Sequence, residues 1–121
     1  MLENVLVDTN LLVYFFDKRE PQKHQKTKQF LENLFQNPSF VFIAQQNLRE
    51  FCSVLLTKDD LPQELILEYL RVVEESVPKV IAEIPMDYKT AVQLSSHSTV
   101  SFWDSLLAAT MLRHDIQTIY T

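Results

Sequence analysis

The sequence predicts an α/β domain, a three-layer α/β/α sandwich with a parallel central sheet, and three observations predict it. Short β-favouring apolar runs recur along the chain, each separated from the next by two stretches of helical periodicity. The run at residues 40–44, Phe-Val-Phe-Ile-Ala, is apolar without alternation, as in a strand covered on both faces. A length of 121 residues with 46% apolar and 22% charged side chains suits one domain with its own core.

The elements follow in order. Residues 4–7 read as a buried strand, and Asp8-Thr9-Asn10 offers a helix N-cap ahead of the apolar residues 11–16. A second helix over 21–35 carries proline in its first turn, with Phe30, Leu31, Leu34 and Phe35 as its apolar face. Asn37-Pro38-Ser39 ends it before the strand at 40–44. The helix over 45–56 follows, burying Leu48, Phe51, Cys52 and Leu55. Asp60 with Gln63 has the spacing of a capping box, opening a helix to residue 75 that buries Leu65, Ile66, Tyr69, Leu70 and Val73. Residues 80–84 form a weaker strand, 85–96 a helix started by Pro85 or Asp87, 101–113 the last helix, and 117–120 the last strand. The resulting order is βααβααβααβ.

Composition excludes several function classes. The chain has no glycine, so every glycine-rich phosphate loop is absent. The lone Cys52 cannot form an internal disulfide, and His24, His97 and His114 are too scattered for a zinc site. A reducing, cytoplasmic setting is expected. Glu3 and Asp8 spoil any signal-peptide pattern, and the longest apolar run, residues 11–16, is too short for a bilayer. A net charge of −5 has the wrong sign for bulk attraction to nucleic acid. Lys18, Arg19, Lys23, Lys26 and Lys28 nevertheless concentrate +4 in eleven residues beside Glu20. On charge alone such a run reads as a solvated helix face.

In an open parallel sheet, ligands bind beyond the carboxyl ends of the strands. Asp8 directly follows the first strand, Glu50 lies in the second turn of the helix after the 40–44 strand, and Asp104 lies in the first turn of the last helix. Each acid alone has a plain structural explanation, as an N-cap, a solvated acid or a partner of the helix dipole. Together they would repel one another and raise their pKa values unless a divalent cation lay between them. Oxygen donors without thiolates suit Mg²⁺ or Mn²⁺, and metal-assisted hydrolysis of a phosphodiester is the expected reaction.

The stretch Val5-Leu6-Val7-Asp8-Thr9-Asn10-Leu11-Leu12 resembles the opening of PIN domains, small metal-dependent ribonucleases that include the VapC-like toxins of bacterial toxin–antitoxin pairs. Asn47-Leu48-Arg49-Glu50-Phe51 resembles their second motif, and residues 101–110, Ser-Phe-Trp-Asp-Ser-Leu-Leu-Ala-Ala-Thr, resemble their third. The resemblance implies that Asp8, Glu50 and Asp104 bind Mg²⁺ or Mn²⁺ and carry catalysis, that Thr9 and Asn10 orient the Asp8 loop, and that Thr121 matches the residue ending the fourth strand. It implies an RNA substrate, with Lys18, Arg19, Lys23 and Lys26 as candidate phosphate contacts, an antitoxin protein as a partner, a homodimer, and no membrane association. PIN domains continue into a loop with a fourth acid, a helix and often a last strand. With the sequence stopping at Thr121, the expectation is a single domain over residues 1–121 lacking these parts.

Two functions follow from that departure. One is a metal-dependent endoribonuclease, the toxin of a toxin–antitoxin pair; the other is a catalytically degenerate PIN-like domain that binds RNA or a protein partner without cutting. An aspartyl-nucleophile phosphatase is disfavoured, because it needs an acid two residues after Asp8, where Asn10 stands and cannot trade a proton.

Overall fold

The computed structural model describes residues 3–58 and 60–121. Strand β1 (Val5–Val7) leads through α1 (Thr9–Phe16), α2 (Pro21–Leu34) and a 3-10 turn (Pro38–Phe40) to β2 (Val41–Ala44). Helices α3 (Gln45–Leu56) and α4 (Gln63–Ser76) lead to β3 (Val80–Ile81), and α5 (Pro85–Ser96) and α6 (Phe102–Arg113) to β4 (Thr118–Tyr120). The sheet has the order β3-β2-β1-β4 with all pairs parallel, so every strand delivers its carboxyl end to the same edge. The three-layer parallel α/β sandwich read from the sequence is the observed fold.

Alternation along the two central strands explains why helices cover both faces. Val5 and Val7 of β1 and Val41 and Ile43 of β2 point to one side, where Leu12, Leu31, Phe51, Leu55, Ile66 and Val73 from the first four helices pack on them. Leu6 and Ala44 point to the other side and meet Ile81, Met111 and Ile116. A period of two puts successive side chains on opposite faces, so strands apolar at every position must be roofed twice.

Three local expectations change. The Asp60–Gln63 capping box is not made: α4 begins at Gln63 with Pro62 in the N-cap position, because Pro62 has no N–H to continue a helix backwards. Phe30, expected on the buried face of α2, is 41% exposed while its neighbour Leu31 is fully buried, a 100° difference in direction around the helix. Strand β3 is only two residues long, ending at Ile81.

The lack of glycine shows at one turn. Helix α6 ends with Asp115 at φ 58°, the Ile116 N–H donating to the Met111 carbonyl at 2.9 Å and the Asp115 N–H to Leu112 at 3.0 Å. This is a Schellman stop built on aspartate, with buried Ile116 against Met111 as its apolar contact. It turns the chain into β4 beside β1, where the Asn4 amide donates to the Asp115 carbonyl at 3.3 Å. No helix among the described residues is long and apolar enough to cross a membrane.

Candidate functional site

Asp8 sits where β1 ends. Its backbone N–H donates to the Tyr120 carbonyl of β4 at 2.9 Å, continuing the ladder that pairs Val7 with Tyr120. Its backbone has the extended geometry of an N-cap for α1, yet its side chain makes no capping hydrogen bond. The carboxylate instead turns toward α3, where Asn47 Nδ2 donates to its Oδ1 at 2.9 Å.

Asn47 is itself almost fully buried and does two jobs. Its Oδ1 accepts the Ala44 N–H at 3.0 Å, closing the first turn of α3 from inside, while its amide nitrogen reaches Asp8. Glu50 stands one turn further on the same helix. Thr9 Oγ1 lies 3.0 Å from Glu50 Oε2 and 3.3 Å from the Asn47 carbonyl, and Gln46 Nε2 donates to Glu50 Oε1 at 3.2 Å. Gln46 is buried, and its Oε1 has no partner among the described residues. Asp104 opens α6, its N–H capped by Ser101 Oγ at 3.1 Å, with its carboxylate exposed.

The electrostatics tie the three acids together. Burial pushes the Asp8 carboxyl above its ordinary range; the Thr9 backbone N–H and the Asn47 amide draw it back; and the negative charges of Glu50 and Asp104 push it further up. Both acids therefore lie close enough to Asp8 to act on its proton. Their oxygens are nevertheless spread out: among the described residues no three Asp, Glu, His or Cys side chains gather tightly enough to hold an ion. The donor set, three carboxylates with neutral amide and hydroxyl oxygens beside them, suits a hard divalent cation in kind.

The other sequence candidates divide. Thr9 is buried inside the cluster, whereas Asn10 is exposed and makes no side-chain hydrogen bond among the described residues. The basic run does not act as one patch. Arg19 is held by Asp17, Lys23 by Glu20 at 3.6 Å and over the Tyr14 ring, and Lys28 by Glu32 at 4.0 Å. Lys18 and Arg19 border a cleft of about 410 Å³ floored by Phe16, Leu55 and Tyr69, which shares no residue with the acidic cluster. Lys26 is different. It lines a hollow of about 260 Å³ with Leu11, Thr27, Phe30, Tyr120 and Thr121, which likewise holds none of the three acids and is linked to them through Tyr120, whose carbonyl accepts the Asp8 N–H.

A profile of the PIN domain matches residues 5–121, nearly the whole chain, in the fold just described. The chain belongs to the PIN domain family. Among solved structures, this PIN domain is similar to the crystal structure of Mycobacterium tuberculosis VapC20, described as a toxin that cleaves the sarcin–ricin loop. The two share 18% identity and superpose with a TM-score of 0.74, covering 98% of this chain and 88% of that one. At that identity the likeness establishes the fold. None of the curated proteins matches the chain in sequence.

Sequence reasoning passed over Gln46 and Asn47 as functional groups. The available signal was the asparagine three residues after the apolar strand, the position from which a side chain reaches back to the N-cap N–H.

Proposed function

We propose that this PIN domain binds RNA at the carboxyl edge of its sheet and that its acidic site is catalytically degenerate as it stands. The observation that carries this reading is the engagement of the acids by their own neighbours. Glu50 accepts from Thr9 on one oxygen and from Gln46 on the other, and Asp8 accepts from Asn47, so the fold satisfies these carboxylates with its own neutral donors. The family resemblance supplies the RNA; VapC20, a structural neighbour, is described as a toxin that cleaves the sarcin–ricin loop. With a net charge of −5, attraction to phosphate must be local, and Lys26, which shares a hollow with Tyr120 at the end of β4, is a candidate contact.

One observation favours a second reading, a metal-dependent endoribonuclease that is the toxin of a toxin–antitoxin pair. The charges of Glu50 and Asp104 add to burial in raising the proton affinity of Asp8, a repulsion that a divalent cation would relieve. Asp8, Glu50 and Asp104 would hold Mg²⁺ or Mn²⁺, which when bound lowers the pKa of a water and neutralises charge on the phosphate. Asn47 would keep Asp8 aimed, and Thr9 would orient Glu50. An antitoxin protein and a homodimer belong to this second reading.

The deciding experiment measures RNA binding by fluorescence anisotropy and cleavage on a gel across a Mn²⁺ titration, with Asp8→Asn as control. Binding without cleavage supports the degenerate domain. Cleavage abolished by Asp8→Asn establishes the nuclease. Absence of binding in both metal-free and Mn²⁺ buffers rejects both readings.

A further inference from the structure

We propose that the cleft between the far ends of α1 and α3 and the side of α4 binds a small monocarboxylic acid with an apolar body, its carboxylate on Lys58 and its body along Phe16, Leu55 and Leu61. This site goes beyond the reading of the acidic cluster and stands independently of it.

Helices α1 and α3 each start where a strand ends and run back across the sheet, so Phe16 and Leu55, in their last turns, lie toward the edge opposite Asp8. Leu61 and Tyr69 close the third side of a cleft of about 410 Å³. Its apolar wall is firm. The Phe16 and Tyr69 rings stack with centroids 4.2 Å apart, Phe16 also meets the fully buried Phe51 at 5.9 Å, and Leu55 belongs to the core. A concave apolar surface of this size carrying a few fixed polar groups is the usual form of a small-molecule site.

The polar groups select the ligand. Lys18, Arg19 and Lys58 border the cleft against Asp17 and Asp60, a local excess of one positive charge in a chain whose net charge is −5. Asp17 is already satisfied: Arg19 Nε and Nη2 donate to its two oxygens at 3.0 and 2.7 Å, and the Arg19 backbone N–H adds a bond at 3.0 Å. Lys58 reaches the same carboxylate only at 3.6 Å, and its ammonium makes no hydrogen bond among the described residues although its side chain is just 17% exposed. An ammonium largely out of water beside a saturated carboxylate gains from a second anion, and charge-assisted hydrogen bonds to a carboxylate are the strong way to supply one. The wall and the rim decide the rest. An inorganic anion would leave Phe16, Leu55 and Leu61 uncovered, whereas a hydrocarbon body covers them as its head meets Lys58. Asp60, exposed at the rim, opposes a second negative charge, so the fit is to one carboxylate and not two.

The test titrates octanoate, phenylpropanoate, octanol and octylammonium into wild type, Lys58→Met and Lys58→Arg by calorimetry, with thermal melting of each protein and methyl NMR of Leu55 and Leu61 to locate the bound molecule. At least one of the two acids is expected to bind wild type at millimolar concentration and to shift both leucines, with octanol and octylammonium weaker by about tenfold or more. Which acid binds tighter distinguishes an aliphatic body from an aromatic one. Lys58→Met leaves Asp17 its Arg19 partner, and is expected to lose about tenfold in acid affinity, while Lys58→Arg keeps most of it. Failure of both acids to bind wild type overturns the proposal. So does octanol binding as tightly as the acids, acid affinity unchanged in Lys58→Met, or methyl shifts that spare Leu55 and Leu61. If Lys58→Met melts below the assay temperature, the comparison of acid, alcohol and ammonium on wild type decides alone.

Discussion

Replacing Asn47 with alanine should cost about 3 kcal/mol of stability and shift the Asp8 carboxyl upward, because one buried amide serves both the start of α3 and the acidic site. Its Oδ1 accepts the Ala44 N–H at 3.0 Å, and Ala44 is buried, so truncation leaves that N–H with no route to water. An unsatisfied buried donor costs about 1–3 kcal/mol. Its Nδ2 donates to Asp8 at 2.9 Å; hydrogen bonds to charged groups contribute about 1.5–3 kcal/mol, the lower end applying here because Asp8 is half-buried and water can replace the amide. Urea unfolding at neutral pH gives the stability, and carboxyl-carbon NMR through a pH titration gives Asp8. The Asn47 donor favours the charged form, so its loss moves the titration to higher pH. Asn47→Asp keeps the acceptor for Ala44 but sets a carboxylate against Asp8, and its stability should recover as pH falls and the pair takes up a proton. A loss below about 1 kcal/mol for Asn47→Ala, or an unmoved Asp8 titration, refutes the dual role.

Asp8→Asn should raise the melting temperature at neutral pH: an acid whose folded pKa lies above its unfolded value weakens the fold once pH exceeds both, so the gain should vanish as pH falls below the unfolded value of 3.8. Arg113→Met should cost about 3 kcal/mol or more by chemical denaturation, because Asp87 is 2% exposed and would be left as a buried charge without its bidentate partner. Burial works to raise Asp87, but hydrogen bonds from Arg113 and the Ile84 N–H outweigh it and the pKa is lowered. The stability from this pair is therefore complete above pH 3.8 and lost as pH falls through the lower folded value, which urea titrations at acid pH would follow. Asp115→Gly should stabilise by about 0.5–1 kcal/mol in the same assay, since it removes both a Cβ at φ 58° and a negative charge at a helix C-terminus.

What the sequence made legible was everything dictated by strand-then-acid order. Val5-Leu6-Val7 reads as a doubly covered strand, and a parallel sheet puts the next residue, Asp8, at the carboxyl edge, whereas Asp104 follows helix α5 and not a strand. What stayed hidden depended on contacts between distant segments. Gln46 and Asn47 read as solvated polar residues in a first turn until α1 folds over them and buries both. Asp87 and Arg113, 26 residues apart, show no spacing that marks them as partners. The basic run, which on charge alone reads as a solvated helix face, is paired locally at three of its five cations by Asp17, Glu20 and Glu32, partners whose reach no charge count shows.

The three acids are held with unequal firmness, and this decides how the site can change. Asp8 is fixed through its backbone by β4 and through its side chain by buried Asn47; moving it would break the sheet edge and the first turn of α3 together. Asp104 is carried on a helix whose far end is locked to α5 by Arg113 and Asp87 and whose stop feeds directly into β4, so its backbone is equally constrained while its side chain is free in solvent. Glu50 is exposed, and its restraints are two neutral donors, Thr9 and Gln46, that water or a cation can replace. Any gathering of the carboxylates therefore falls to the side chains of Glu50 and Asp104, while Asp8 keeps its place. Release of Gln46 is the step most worth watching: its unpartnered Oε1 already lacks a hydrogen bond, so an incoming donor at that point gains what the folded chain leaves unsatisfied.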